Sequence, residues 1–371
     1  MTDDPPPHIP DELPVEEIDM GDMVSPIVEA NKALARFDGQ LEGIQNPRVL
    51  LSPLMTQEAV VSSKIEGTQA TLEDVLEHEA DQGQPEEQST REDVEEIINY
   101  RSALSYGEQQ MADRPFNLNL LKEMHAILMD GVRGQYKRRG EFRRQQIHIG
   151  PPDSSMEEAT YIPPPYLKVS DLLDNWERYY HMEVSDHLVQ LAILHAQFEM
   201  IHPFMDGNGR IGRLLIPLFL HDKRVLTSPT FYASAYLEQT REEYYMRLSN
   251  ISEEGDWEGW VRYFLTAVEK QATANSEKVS RIVDLYEDTK NRVVDLVSSQ
   301  YTIQAIDALF ERPIFSSTKF QELSDIPKQS SYRILRALED GDIIKQVREA
   351  SGRKPALYVF EPLLEIVGTY T

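Results

Sequence analysis

Apolar residues recur at helical spacing along most of this chain, and that rhythm sets the expected architecture. From Ser25 to about Tyr106 the pattern is helical. Met55, Ala59, Val60 and Ile65 fall near one face, with Pro53 where a first helical turn tolerates it. The spacing predicts a helix over 117–129 and then an irregular stretch over 131–165. Within that stretch GEFR, QIHIG and YIPPP read as short extended pieces that suit a hairpin. Helices follow over 169–181 and 186–201, then a glycine-rich turn, then a helix over 210–222. Helical patterns run on from about Glu238 to Ser299. From Tyr301 the rhythm changes to three short helices (303–310, 317–323, 329–339), the last closed by Gly341. Two strands, 343–347 and 356–360, are joined there by the turn REASGRKP. The expected fold class is mainly α, with a small β-hairpin and a distinct C-terminal module.

Composition narrows the function. The chain has 371 residues, which at ~150 residues per domain suggests two or three domains. Its 63 acidic against 37 basic residues give a net charge of −26, so its overall field disfavours nucleic acid. Residues 1–24 carry eight acids and no base, and residues 73–96 carry eleven acids with only Arg91 opposing them. Both read as solvated, the first as a proline-rich arm and the second as a helix face and a loop around Gly83–Pro85. Residues 133–144, RGQYKRRGEFRR, reverse the trend with six bases and one acid, and read as a solvated loop or a lip that attracts an anionic substrate. The absence of cysteine excludes disulfides, thiolate metal sites and cysteine catalysis. The longest apolar run, 214–220, is too short for a membrane span, and the N-terminus lacks secretory-signal character. A cytoplasmic protein is expected.

The densest chemistry lies in His202–Arg213, HPFMDGNGRIGR. Gly207, Gly209 and Gly212 match GxGxxG, yet the residues in front, DHLVQLAILHAQFEMI, are helical rather than a strand, so a dinucleotide fold is rejected. The segment reads instead as a helix–loop–helix anion cradle. Pro203 biases His202 out of the helical region, and the two glycines allow a tight turn with exposed N–H groups. The helix start adds aligned donors and partial positive charge. Arg210 and Arg213, three apart, lean to one side and suit phosphate oxygens. Asp206, the only acid of the loop, suits a magnesium ion that phosphates also touch. Histidine ordinarily titrates near neutrality, which fits His202 to take a proton from a hydroxyl.

HPFMDGNGRIGR resembles the signature of Fic-domain proteins at every specified position. GEFR with QIHIG and YIPPP resembles that family's flap, residues 25–67 its N-terminal helical extension, and the final three helices plus hairpin the winged-helix appendage of many members. The resemblance implies transfer of AMP from ATP, with magnesium, to a target hydroxyl (Tyr, Ser or Thr), releasing pyrophosphate. Carried over, His202 is the general base, Phe204 fixes the loop, and Asp206 holds magnesium. Gly207, Asn208 and Gly209 cradle the phosphates, and Arg210 and Arg213 hold the β and γ phosphates. Gly209 and Arg210 are the residues lost in a related branch that moves a phosphate. Upstream, Ser62–Gly67 fits the family's inhibitory helix, so Glu66 is expected to occupy the Arg213 fork that the γ-phosphate needs. The bland alternative is an ordinary helix end capped by Gly67. The expected divisions are an acidic arm (1–24), a regulatory helical region (25–106), the catalytic core (107–275), a connecting helix (276–300) and a winged-helix domain (301–371).

Softer readings accompany these. His195, seven residues before His202, reads as a core histidine rather than half of a metal pair. Tyr236, Tyr244, Tyr245 and Asn250 line either a nucleoside pocket or a helical core. Competing functions are a DNA-binding regulator reading through Lys328, Arg333 and Arg336, and removal of AMP from modified proteins by the same site. Self-modification and a homodimer stay open.

Overall fold

The computed structural model describes residues 6–15, 18–44, 46–81, 88–131, 138–151, 155–297, 299–352 and 354–368. The loop expected around Gly83–Pro85 and residues 133–137 of the basic run lie outside these. In chain order the helices and strands are α1 (Met20–Glu42), α2 (Pro47–Leu50), α3 (Ser52–Ile65), α4 (Leu72–Asp81), α5 (Gln88–Asp113), α6 (Leu118–Leu128), α7 (Val169–Tyr180), α8 (His187–Ile201), α9 (Asn208–Asp222), α10 (Ser234–Gln239), α11 (Arg241–Glu254), α12 (Trp257–Val297), α13 (Thr302–Glu311), β1 (Ile314–Ser316), α14 (Ser317–Ser324), α15 (Lys328–Asp340), β2 (Lys345–Arg348), β3 (Leu357–Val359) and α16 (Glu361–Gly368). The fold is thus mainly α, as expected. The chain divides into two compact units, residues 1–35 with 99–272, and residues 36–98 with 273–371.

In the first unit α8 is the central element. Its sequence is apolar all round, and thirteen of its fifteen residues are buried. Asp186 caps its start by accepting from the Leu188 and Val189 N–H groups. α7 is amphipathic and buries Leu172, Leu173, Trp176, Tyr179 and Tyr180. The Trp176 and Trp260 indoles donate to the Leu194 and Ala192 carbonyls, both at 2.8 Å, so each ring is fixed by a bond as well as by packing. Asn117 caps α6 in the same way as Asp186 caps α8. The expected hairpin of the irregular stretch is reduced to one antiparallel bridge, Ile149 with Tyr161. The arm is tied to this unit: the His8 N–H donates to Ile162 O, and the Asn175 side chain bonds both the N–H and the carbonyl of Leu13.

The second unit holds the three-stranded antiparallel sheet, in the order β1-β3-β2. Ile314 pairs with Val359, Ser316 with Leu357, and Lys345 with Val359, with an irregularity between Gln346 and Arg348. β1 was not expected from the pattern. It is three residues long and buried on both faces, so it shows no alternation. Gly341 follows α15 as expected, but with φ −91. The left-handed residue is the next one, Asp342 at φ 52.

Candidate functional site

The signature loop joins α8 to α9 within the first unit. α8 ends because His202 takes a left-handed conformation, φ 49 and ψ 61, ahead of Pro203. The His202 ring approaches the Glu199 carbonyl at 3.3 Å through Nδ1. A carbonyl only accepts, so Nδ1 carries the proton and Nε2 is the ring's basic nitrogen. Gly207 opens α9 at φ 76, where a Cβ would meet Met129 Sδ at 3.0 Å and His125 Nε2 at 3.6 Å. The first N–H groups of α9 have no partner within the helix, as at any helix start.

The remaining signature side chains divide into two groups. Phe204 is fully buried, and its ring lies flat on His125 at 3.7 Å. Asn208 turns its amide inward, accepting from the Phe204 N–H at 2.8 Å and donating to the Phe204 carbonyl at 2.9 Å. What Asn208 presents at the start of α9 is accordingly its backbone. Gly209 is buried. Gly212 faces α8, where a Cβ would fall 2.3 Å from Glu199 Oε1. Asp206 is half-buried, accepts from the Gly207 N–H at 2.6 Å, and lies 3.5 Å from Arg210 Nη2. Arg210 and Arg213 are both buried, 3% and 1% exposed, so neither belongs to a solvated helix face. For magnesium, which usually takes one or two protein carboxylates plus phosphate oxygens, Asp206 is a fitting donor.

Two residues that sequence reasoning passed over hold this loop. His125 of α6 is fully buried; its Nε2 contacts the Asp206 carbonyl at 2.9 Å and its Nδ1 accepts from the Gly140 N–H at 2.9 Å. Burial pushes its ring down to about 4, so it is neutral at neutral pH. Its only sequence signal is a histidine placed among Leu121, Met124 and Leu128 on the buried face of a helix. Arg143, in GEFR, donates to the carbonyls of His202 (2.9 Å), Pro164 (2.5 Å), Ile201 (3.3 Å) and Gln145 (3.3 Å). It thereby ties the end of α8 to both sides of the flap segment. Counted by charge it belongs to the basic run, but it is 2% exposed. The other described bases of that run are exposed and face acids: Arg138 and Arg144 face Glu141, and Arg139 faces Asp130.

His195 is a core residue. Its Nδ1 donates to the Gly212 carbonyl at 3.3 Å, its Nε2 accepts from the Tyr244 hydroxyl at 2.9 Å, and Trp260 stacks on it. Burial, with Arg213 nearby, lowers it to about 3. Tyr244 is buried in that cluster, whereas Tyr245 is 44% exposed. No group of three or more metal-ligating side chains occurs among the described residues, and no described helix is long and apolar enough to cross a membrane. In the second unit α3 ends in paired bonds, Thr68 N–H to Ser63 O at 3.2 Å and Gly67 N–H to Lys64 O at 2.9 Å, with Gly67 at φ 100. Ser62 is buried and Glu66 exposed.

Several known proteins resemble this chain. It is 29% identical over 182 residues to the protein adenylyltransferase Fic of Drosophila mojavensis, covering 47% of this chain and 32% of that protein. It is 35% identical over 134 residues to the protein adenylyltransferase Fic of Drosophila melanogaster, covering 35% of this chain and 24% of that protein. The chain thus spans a third or less of the length of these relatives. Among solved structures, a Fic family protein from Desulfovibrio desulfuricans shares the fold with a TM-score of 0.56 at 22% identity, over 90% of this chain and 95% of the other. A Fic domain containing signaling protein from Bacteroides thetaiotaomicron gives 0.53 at 17% identity, over 68% of this chain and 97% of that one. Residues 24–109 match the profile described as Fic/DOC family N-terminal, and residues 115–220 match that of the Fic/DOC family. With these two adjoining matches taking in just over half of its length, the chain belongs to the Fic/DOC family.

Proposed function

We propose that this chain is a protein adenylyltransferase, moving AMP from ATP to a hydroxyl side chain of a target protein. One observation carries the reading: the His202 ring, its Nδ1 proton held by the Glu199 carbonyl, belongs to the same short loop as a helix N-terminus that a left-handed glycine opens. Nε2 of His202 takes the proton of the attacking hydroxyl. The hydroxyl oxygen bonds to the α-phosphorus, the bond from that phosphorus to the bridging oxygen breaks, and pyrophosphate leaves. The first turn of α9 and the guanidinium groups of Arg210 and Arg213 hold the phosphate oxygens. Asp206 would hold magnesium, which supplies neutralisation of phosphate charge. Gly207 and Gly209 keep the backbone approachable, and Phe204 and Asn208 keep the loop in shape.

The activity is further proposed to be restrained by Glu66 acting on Arg213. What supports this is the Ser62–Gly67 pattern upstream of an intact signature. A carboxylate on the Arg213 fork takes the place of the γ-phosphate, so bound ATP lies in a posture that cannot react. The test is incorporation of α-labelled AMP into proteins of a cell extract by wild type, Glu66→Gly and His202→Ala. Glu66→Gly is expected to label at least about tenfold more strongly than wild type, the order expected when one charged competitor is removed. His202→Ala is expected to bind ATP without labelling. Equal labelling by wild type and Glu66→Gly removes the restraint, and no labelling by any form removes AMP transfer.

A further inference from the structure

We infer that His125 is a positioning residue that aims the Asp206 carboxylate, and that the loop depends on it for magnesium-dependent binding of ATP. The inference rests on the proposed reading of the loop as an ATP site. It starts from one ring used on three sides. The Gly140 amide can only donate, so Nδ1 of His125 is the acceptor, and the ring proton sits on Nε2 and points at the Asp206 carbonyl. The ring face is covered by Phe204, with the planes 4° from parallel. No other orientation of the ring keeps all three contacts.

The contact falls on a sensitive peptide. The Asp206 carbonyl and the Gly207 N–H belong to the same peptide group, and that N–H is the donor to Asp206 Oδ1 at 2.6 Å. Holding the carbonyl therefore sets the direction of the N–H, and the N–H sets the direction of the carboxylate. Glycine is called for at 207 by its left-handed φ of 76 and by Met129, whose Sδ would stand 3.0 Å from a Cβ, whereas the ring edge at 3.6 Å is an ordinary contact beside this peptide. His125 is fully buried, and it acts through Asp206 as an outer partner of a ligating carboxylate does. A ring that served packing alone would need neither nitrogen satisfied by these particular partners.

Two near-isosteres separate the ring's two bonds. In His125→Asn the amide can take the place of Nδ1 and keep Gly140, but it does not reach Asp206. In His125→Gln the amide can take the place of Nε2 and keep Asp206. Both are compared in the Glu66→Gly background by calorimetric titration with ATP, with and without magnesium, and by the magnesium concentration that half-saturates AMP incorporation. His125→Asn is expected to weaken ATP binding about tenfold or more in magnesium while leaving magnesium-free binding unchanged, and His125→Gln to retain most of the parental response. Should His125→Asn fail to fold, His125→Phe, which keeps the plane against Phe204, is read by the same criterion. Equal behaviour of the Asn and Gln variants, or equal losses with and without magnesium, overturns the inference and leaves only a packing role. Absence of magnesium-dependent ATP binding in the parent brings down the ATP-site reading itself, and that failure is recognised because it appears before any change at His125.

Discussion

Arg143→Met tests whether the flap segment and the signature loop are held together by one buried cation. The guanidinium makes four bonds to main-chain carbonyls, those of His202, Pro164, Ile201 and Gln145. Bonds from a charged donor contribute about 1.5–3 kcal/mol each, so the gross contribution is on the order of 6–12 kcal/mol. Burial offsets part of it. Burial pushes the guanidinium down to about 10 from its usual 12.5, a cost on the order of 3 kcal/mol. Methionine keeps the apolar stem but strands several carbonyls, two of them at the C-terminal end of α8 where positive charge is favoured. The net loss is therefore expected at about 3–5 kcal/mol, the range for removing one member of a buried charged network. Trp176, Trp257 and Trp260 are the only tryptophans of the chain, and all lie in the first unit, so urea unfolding followed by their fluorescence reads this unit selectively. Arg143→Lys, with one compact donor group, is expected to recover about half of the loss. A shift below about 1 kcal/mol in Arg143→Met would refute the argument, because it would mean that the four bonds do no more than balance the cost of burying the charge.

Two further outcomes use the same fluorescence signal. Gly140→Ala is expected to cost about 2–4 kcal/mol, from the left-handed φ of 74 together with a Cβ only 3.0 Å from Ala126 Cβ and 3.1 Å from the Lys122 carbonyl; an unfolding midpoint at the wild-type value would contradict it. His195 is lowered to about 3 by burial, so on acidification the unfolded chain binds its proton first. The stability this group contributes is whole above about pH 6.5 and is lost as pH falls toward its folded value, at about 1.4 kcal/mol per pH unit. Unfolding measured between about pH 6 and 5 should show a slope in wild type that exceeds that of His195→Gln by nearly this amount, the remaining slope including the other buried histidine, His125, and identical slopes would remove the assignment.

The sequence exposes whatever is periodic or contiguous, and conceals what depends on a main-chain partner far along the chain. α6 to α9 were legible because long apolar periodicities end at recognisable caps, Asn117 and Asp186 at two starts and His202–Pro203 at one end. The signature was legible because its residues are neighbours. β1 carried too few residues to show a period, and the flap keeps a single bridge between segments that look like strands. His125 and Arg143 were illegible for a different reason. Their partners are carbonyls and amides, which every residue possesses, and they lie 81 and 59 positions away for Asp206 and His202. A motif reports side chains, so it reveals the groups turned toward a substrate and omits the groups that hold the backbone from below. Asn208 shows both sides of this. It is part of the signature, yet its amide is spent on the two main-chain atoms of Phe204, which gives it the same kind of task as His125 and Arg143. On the proposed reading of the loop as an ATP site, it therefore has a supporting set (His125, Arg143, Phe204, Asn208) and a presenting set (His202, Asp206 and the main-chain N–H groups of the first turn of α9). Substitutions in the first set should move geometry, metal response and stability together, while those in the second should move chemistry and leave stability near its starting value.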